Sequence, residues 1–313
     1  ATRPHPSGAL ILLLSLYLAT ASLTPPLTHS TLGDDCTHVF LDLGSNLGVQ
    51  VRKFFEPQLF QRQQSSLLRA LDHTFGYNRT HSRTHSLQQR SSNCVFSFEP
   101  NPKHTHRLQH MQAVYQSLGY RYMHFPVAVS TENSTVTLLR EVSSNDAAAK
   151  LIKNKADLSD KRLQQVASRT DTTVDTHTID FVEFLQKHIM ERKLPEGVSP
   201  TQSRVMIKMD IEGEEYNLLP ALVSSGVLCR TVDVLLVEWH VRNSRWFLKG
   251  VLPLPIDREK VLAFQRSVKL LLTLSKPACR TDMRKLDDES YMGDTLVSHP
   301  LPRLASHSSS AFS

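Results

Sequence analysis

Hydrophobic positions fall into short apolar runs separated by stretches of helical period. His38–Leu43, Cys94–Phe98, Arg121–Phe125, Val205–Asp210 and Val232–Trp239 are brief and mostly rich in Val, Ile, Leu or Phe. That is the pattern of strands covered on both faces. Between them, Asn101 as N-cap and Pro102 in the first turn open a predicted helix over Pro102–Leu118. Further helices are predicted over Ile179–Met190, Glu214–Val223 and Arg258–Leu274, the last carrying Val261, Leu262, Phe264, Val268, Leu271 and Leu272. A helix is also expected to begin at Val49, and Ser134–Ser144 has the look of an added strand. The polar stretch Asn145–Thr173 is of uncertain structure. Alternating strand and helix predicts an α/β fold with a mainly parallel central sheet, helices on both faces and right-handed crossovers. Ligands of such sheets bind beyond the carboxyl ends of the strands, so chemistry is sought there.

Composition narrows this picture. The 313 residues permit a sizeable core, and 40% hydrophobic with 21% charged residues excludes wholesale disorder and a polytopic membrane protein. The net charge of +6 is concentrated: residues 61–93 hold five Arg against Asp72, or +4, which leaves +2 elsewhere. That stretch, rich in Gln, Ser and His, reads as a solvated basic insertion at about residues 58–93 that contributes little to the core. It lacks aromatic stacking platforms and any nucleic-acid module, so nucleic acid is not an expected partner.

At the N-terminus, Arg3 precedes an apolar run and the small residues Ala19, Thr20, Ala21 and Ser22. This is the order of a secretory signal cleaved after Ala21, or of a signal-anchor tethering the chain to a membrane through residues 9–23. Residues 1–31 are thus assigned to leader and linker, 32–300 to the domain, and 301–313 to a disordered tail. Two sequons, Asn78-Arg79-Thr80 and Asn133-Ser134-Thr135, agree with a secretory-pathway lumen. The four cysteines, Cys36, Cys94, Cys229 and Cys279, have no zinc-type spacing, and two disulfides have three connectivities open to them. Cys229 precedes the fifth strand and Cys279 follows the helix expected to cover the sheet. That pair is the expected bridge, with Cys36–Cys94 second.

Four strand ends carry candidate chemistry. The first runs into Asp42-Leu43-Gly44-Ser45-Asn46-Leu47-Gly48. A dinucleotide fingerprint would need Gly where Asn46 and Val49 stand, and no phosphate-binding Gly-Lys-Ser/Thr follows, so the loop suits a ligand without a pyrophosphate. The second ends in Glu99 before Pro100-Asn101-Pro102, a carboxylate placed to accept both hydroxyls of a ribose. The third delivers Asp210 and Glu212, followed by Glu214 and Glu215, which fit an ordinary first-turn role. The fifth strand ends in Glu238 and His240. No metal ligand set is evident, although the clustered carboxylates could recruit a divalent cation.

LDLGSNLG, FSFEPNP, TIDFVEFL, IKMDIEGEEYNLL and LLVEWH, in this order over roughly residues 38–240, resemble the FkbM-type S-adenosylmethionine-dependent methyltransferases. A looser likeness of Leu286–Tyr291 points to the secretory methyltransferase-like branch. The resemblance implies a Rossmann-like class I methyltransferase fold, S-adenosyl-L-methionine as cofactor, and a hydroxyl-bearing acceptor, expected to be a carbohydrate. It implies that Asp42, Gly44, Asn46 and Gly48 surround the methionine part of the cofactor, that Glu99 holds its ribose, and that Asp210, Glu212 and Glu238 face the transfer site. Asp210 and His240 are the candidate bases, with Glu238 orienting His240 or binding the acceptor. The competing expectation is a non-catalytic secreted binding protein on the same scaffold.

Overall fold

A computed structural model of the chain describes residues 30–60, 65–76, 87–140, 149–152, 173–240, 258–286 and 300–302. The leader with its apolar run, the sequon at Asn78 and residues 303–313 lie outside the described residues. Among the described residues no helix is long and apolar enough to cross a membrane.

Six strands form the central sheet: β1 (His38–Leu43), β2 (Asn93–Phe98), β3 (Arg121–Phe125), β8 (Arg204–Met209), β9 (Val234–Val237) and β10 (Asp282–Lys285). Their order is β10-β9-β8-β1-β2-β3, and every pairing is parallel. The chain winds outward from β1 through β2 to β3, then returns beside β1 and winds the other way. The sheet therefore has its switch point between β1 and β8, where doubly wound sheets open a crevice. This is the α/β, mainly parallel, Rossmann-like arrangement expected.

Alternation along each strand splits the core in two. Val39, Leu41, Leu43, Phe96, Phe98, Ile207 and Met209 join one buried cluster, while Phe40, Val95, Met206, Val234 and Leu236 join the other. The first is covered by α5 (Phe181–Phe184, continuing as a wider π turn over Leu185–Met190), α6 (Glu215–Ser224), α7 (Val227–Thr231) and α8 (Arg258–Leu274). The second is covered by α1 (Val49–Phe55), α2 (Ser66–Phe75) and α4 (Pro102–Ser117). Between α2 and β2 lies the short α3 (Leu87–Ser92). A second sheet, in the order β4-β7-β5-β6, consists of β4 (Ala128–Ser130), β5 (Ser134–Arg140), β6 (Ala149–Ile152) and β7 (Thr173–Asp180).

Several expectations need correction. The basic segment is not merely a solvated insertion. Ser65 caps α2 by accepting from the Leu68 amide, and Leu67, Leu68, Ala70, Leu71 and Phe75 are buried. The apolar face is narrow, and the surrounding Arg, Gln and His residues hide it in composition. Ile179 and Asp180 end a strand rather than beginning a helix; Asp180 caps α5, accepting from the Val182 and Glu183 amides. Residues 173–179 (TVDTHTI) are rich in β-branched side chains, which favour a pleated surface. The tail assignment also began one or two residues early: Leu301 packs on the second core, and Arg52 Nη2 donates to the Pro300 carbonyl at 3.2 Å. Arg52 is itself buried, ion-paired with Glu56 at 2.8 Å, and Glu56 also accepts from the Tyr115 hydroxyl.

Both disulfides form as paired above. Cys36–Cys94 ties the entry of β1 to β2 with a Cα separation of 5.7 Å. Cys229–Cys279 ties α7 to the approach to β10 at 4.3 Å. Such bridges persist in oxidising compartments. Asn133 of the second sequon is exposed in the turn between β4 and β5.

Candidate active site

The loop after β1 is built for close approach. Gly44 has φ +75°, and a Cβ there would lie 1.8 Å from the Asp210 carbonyl oxygen, so only glycine lets the β1 and β8 ends meet. Gly48 has φ +79°, and a Cβ there would press on Leu108 and Met111 at 2.8 Å. Asn46 also adopts a left-handed conformation, φ 48°, which Asn tolerates better than most residues. The Gly44 and Ser45 amides donate to the Phe98 carbonyl at 3.0 and 3.1 Å, and the Asp210 amide donates to the Leu43 carbonyl at 3.1 Å. The loop is thus tied to both neighbouring strands.

Glu99 bridges this loop to α4. One carboxylate oxygen accepts from the Asn46 amide at 2.7 Å and the other from the Asn101 amide at 2.9 Å. Burial pushes its pKa above the ordinary glutamate value, and the two amides oppose that push. A cleft beside it is lined by Gly44, Ser45, Asn46 and Leu47 on one side and by Lys208 and Asp210 on the other.

Lys208 organises the floor of the cleft. Its Nζ donates to the Gly44 carbonyl at 2.6 Å and lies 3.1 Å from Asp210 Oδ2 and 3.4 Å from Asp42 Oδ1. Burial opposes its charge, yet Asp210 and Asp42 outweigh that and hold its pKa above the usual lysine value. Asp42 is fully enclosed, and neither of its carboxylate oxygens has a hydrogen-bond partner. Burial therefore raises its pKa to about 6 despite Lys208.

Asp210 also belongs to a second cluster. His240 Nε2 lies 3.5 Å from Asp210 Oδ1 and 3.4 Å from Glu212 Oε2, while its Nδ1 is hydrogen-bonded to Glu215 at 3.0 Å. Glu215 is fully buried and accepts from the Ile211 and Gly213 amides at 2.8 Å each. The Tyr216 hydroxyl donates to the His240 carbonyl at 2.8 Å, and Tyr216 packs against Trp239 and Phe264. Burial disfavours a charged imidazole, but Glu212, Glu215 and Asp210 overcome it and raise the His240 pKa well above its ordinary value. Glu212, at φ 55°, is pushed up to about 8, chiefly by burial with Asp210, Glu215 and Glu238 adding to it.

Of the sequence candidates, Gly44, Asn46 and Asp210 line the cleft; Glu99 holds the Asn46 amide, Asp42 lies beneath beside Lys208, and Glu212 and His240 cluster with Asp210. Glu238 stands at the end of β9, its amide donating to the Met209 carbonyl at 2.9 Å. Two residues were missed. Lys208 is a lone charge inside an apolar strand, which is itself a signal. Glu215, which in sequence fits a first-turn role, is hydrogen-bonded to His240 Nδ1. Asp210, Glu212 and His240 present donor atoms within 4.8 Å of one another, so the clustered carboxylates are joined by an imidazole. Spacing could not show this, since His240 arrives from a different strand.

Residues 70–266 match the FkbM methyltransferase domain. The chain belongs to the FkbM methyltransferase family. The match covers more than half of the 313 residues and takes in Glu99, Asp210, Glu212, Glu238 and His240. It begins inside α2, so the basic segment falls partly within the FkbM domain. No curated protein and no solved structure matches the chain significantly.

Proposed function

We propose that this FkbM methyltransferase transfers the methyl group of S-adenosyl-L-methionine to a hydroxyl, on a sugar or glycan, in the secretory pathway. The observation that carries the reading is the junction at Asp210, where a glycine loop suited to a ligand without a pyrophosphate meets a cluster of carboxylates around His240. Asp42, Gly44, Asn46 and Gly48 are assigned to the methionine portion of the cofactor, and Glu99 to its ribose. Glu99 supports the ribose assignment, since each of its oxygens uses one lone pair on an amide and keeps another for a hydroxyl.

When bound, the sulfonium supplies an already activated methyl group. The chain's own task is then alignment and proton handling. Of the two base candidates, Asp210 is favoured by geometry. His240 has both ring nitrogens among carboxylates, whereas Asp210 opens onto the cleft. With the cofactor held there, its sulfur–methyl bond would break as the acceptor oxygen takes the methyl group, the neutral thioether would leave, and Asp210 would receive the acceptor's proton. Glu212 and Glu238 are assigned to the acceptor. The two disulfides support an oxidising, secretory compartment.

Calorimetric titration with S-adenosyl-L-methionine, followed by methyl transfer from a labelled donor to a glycan panel with product mass spectrometry, tests the proposal. Cofactor binding and a methyl ether product are expected. A folded protein that binds no cofactor would overturn it and leave a binding protein on a methyltransferase scaffold.

A further inference from the structure

We propose that Asp210, Glu212 and His240 form a divalent-cation site on the acceptor side of the cleft. Only the use of the cation rests on the methyltransferase reading above; its binding stands on the geometry alone.

The three donors come from two elements. Asp210 and Glu212 lie in the turn after β8, and His240 follows β9. His240 Nε2 is 3.5 Å from Asp210 Oδ1 and 3.4 Å from Glu212 Oε2. A cation about 2.1 Å from Nε2 and from either oxygen would see these separations under an angle of roughly 110°, which a tetrahedral shell accommodates.

The state of Glu212 Oε2, whose charged neighbour is the His240 Nε2 of the same cluster, points the same way. Glu212 is a non-glycine residue with φ 55°, and its Oε2 is enclosed without a hydrogen-bond partner. A buried oxygen left so needs an explanation, and a cation between Glu212 and His240 supplies one. The opposite face of the imidazole is already committed. Nδ1 is held by Glu215, a fully buried carboxylate fixed by two amides, which aims Nε2 at Asp210 and Glu212. A carboxylate behind the ring is the usual support of a metal-bound histidine. Formal charge agrees: Asp42, Asp210, Glu212 and Glu215 adjoin only Lys208 and His240 in these ion pairs. Buried charge is normally paired or ligates metal.

One imidazole with two carboxylates favours a first-row ion such as Mn²⁺ or Zn²⁺ over Mg²⁺ or Ca²⁺, which prefer oxygen alone. Three protein ligands leave a position for water or for the acceptor hydroxyl.

The test uses the full chain stripped with chelator. Mn²⁺ is titrated while its free electron-spin-resonance signal is followed, with Zn²⁺ and Mg²⁺ as parallel calorimetric arms. We expect about one Mn²⁺ or Zn²⁺ per chain, weaker Mg²⁺, and at least a tenfold loss of affinity in Glu212→Gln but not in the exposed control Glu196→Gln. Pulsed spin resonance on the unmutated chain should show one imidazole nitrogen coupled to Mn²⁺, which keeps the test intact should the variant fail to fold. No saturable binding, equal binding by Glu212→Gln, or no nitrogen coupling would each overturn the site. A parallel S-adenosyl-L-methionine titration in chelator separates the two proposals: cofactor binding without cation binding sinks this one alone, and the reverse sinks only the functional reading.

Discussion

Replacing Lys208 with Met tests whether one buried cation holds the strand-end charges together. Met preserves length and most of the packing but removes the ammonium that sits 3.1 Å from Asp210 and 3.4 Å from Asp42. Removing one partner of a buried pair costs about 3–5 kcal/mol, because the remaining charge is stranded. Asp42 has an escape, which is to take up a proton. With an unfolded carboxylate pKa of ~3.9, holding that proton costs about 5 kcal/mol at pH 7.5, of which the parent's Asp42, at about 6, already carries roughly 3; at pH 5 it is protonated in both, at a common cost of about 1.5 kcal/mol.

The sign follows from the direction of the shift. Asp42 already sits at about 6 with Lys208 present, raised mainly by burial. Loss of Lys208 raises it further, so the folded variant binds this proton more tightly than the unfolded chain does. The penalty is then fully present above the folded pKa and fades as pH falls toward the unfolded value. Thermal midpoints of parent and variant at pH 7.5, 6 and 5 measure it. At roughly 2–4 °C per kcal/mol, the gap should be on the order of 10 °C at pH 7.5 and about half that or less at pH 5. A gap that stays constant with pH would refute the electrostatic account and leave a packing defect. Adding Asp42→Asn to Lys208→Met should recover part of the loss, since neighbouring sites in one network are not additive.

Four further outcomes follow from the geometry. Glu99→Gln should weaken S-adenosyl-L-methionine binding by about 1–3 kcal/mol, read by calorimetry, because an amide NH₂ replaces an oxygen that accepts a backbone amide. Replacing Cys229 and Cys279 with Ser opens a sequence separation of 50 residues and should cost about 4 kcal/mol in a denaturant melt, an unmoved midpoint counting against it. His124 is buried with its pKa lowered to about 4, so the unfolded state takes the proton first. Stability should therefore fall by up to roughly 3 kcal/mol as pH drops from 6.5 toward 4, less steeply in His124→Asn. Leu71→Ala in α2 should cost about 2–5 kcal/mol in urea, and deleting residues 61–92 should abolish cooperative unfolding, whereas a merely solvated insertion would tolerate both.

The central sheet was legible wherever burial on both faces produced a plain apolar run. β1 and β3 have the expected bounds, as does α8, whose Val261, Val268 and Leu272 turn inward. β10 was invisible because DMRK is an edge strand of polar residues, placed by pairing with β9 and not by any pattern of its own. α2 was hidden for the opposite reason: its buried leucines are few, and the polar residues around them dominate any average. At the site, the motif residues were legible because they cluster at strand ends. Lys208 and Glu215 were not, because their roles depend on what β1 and β9 bring beside them. A first-turn glutamate looks the same in sequence whether it faces solvent or an imidazole.

Asp210 explains why the two sides of this cleft should act together. One of its oxygens faces Lys208, whose Nζ donates to the Gly44 carbonyl within the cofactor-side loop; the other faces His240, which Glu215 fixes from behind. A continuous line of charges thus runs from Asp42 through Lys208, Asp210 and His240 to Glu215, crossing from β1 to β8 to β9 at the switch point of the sheet. Every change of charge at one end alters the field felt by Asp210, at separations where low surrounding dielectric leaves little screening. A cationic cofactor beside Asp42 and Gly44 and a cation on Glu212 and His240 would therefore share Asp210 as a common partner. Their binding should be coupled, and the midpoint of one titration should move when the other ligand is present. The same reasoning assigns the coupling to a single carboxylate: Asp210→Asn should abolish it even where either ligand, tested alone, still binds.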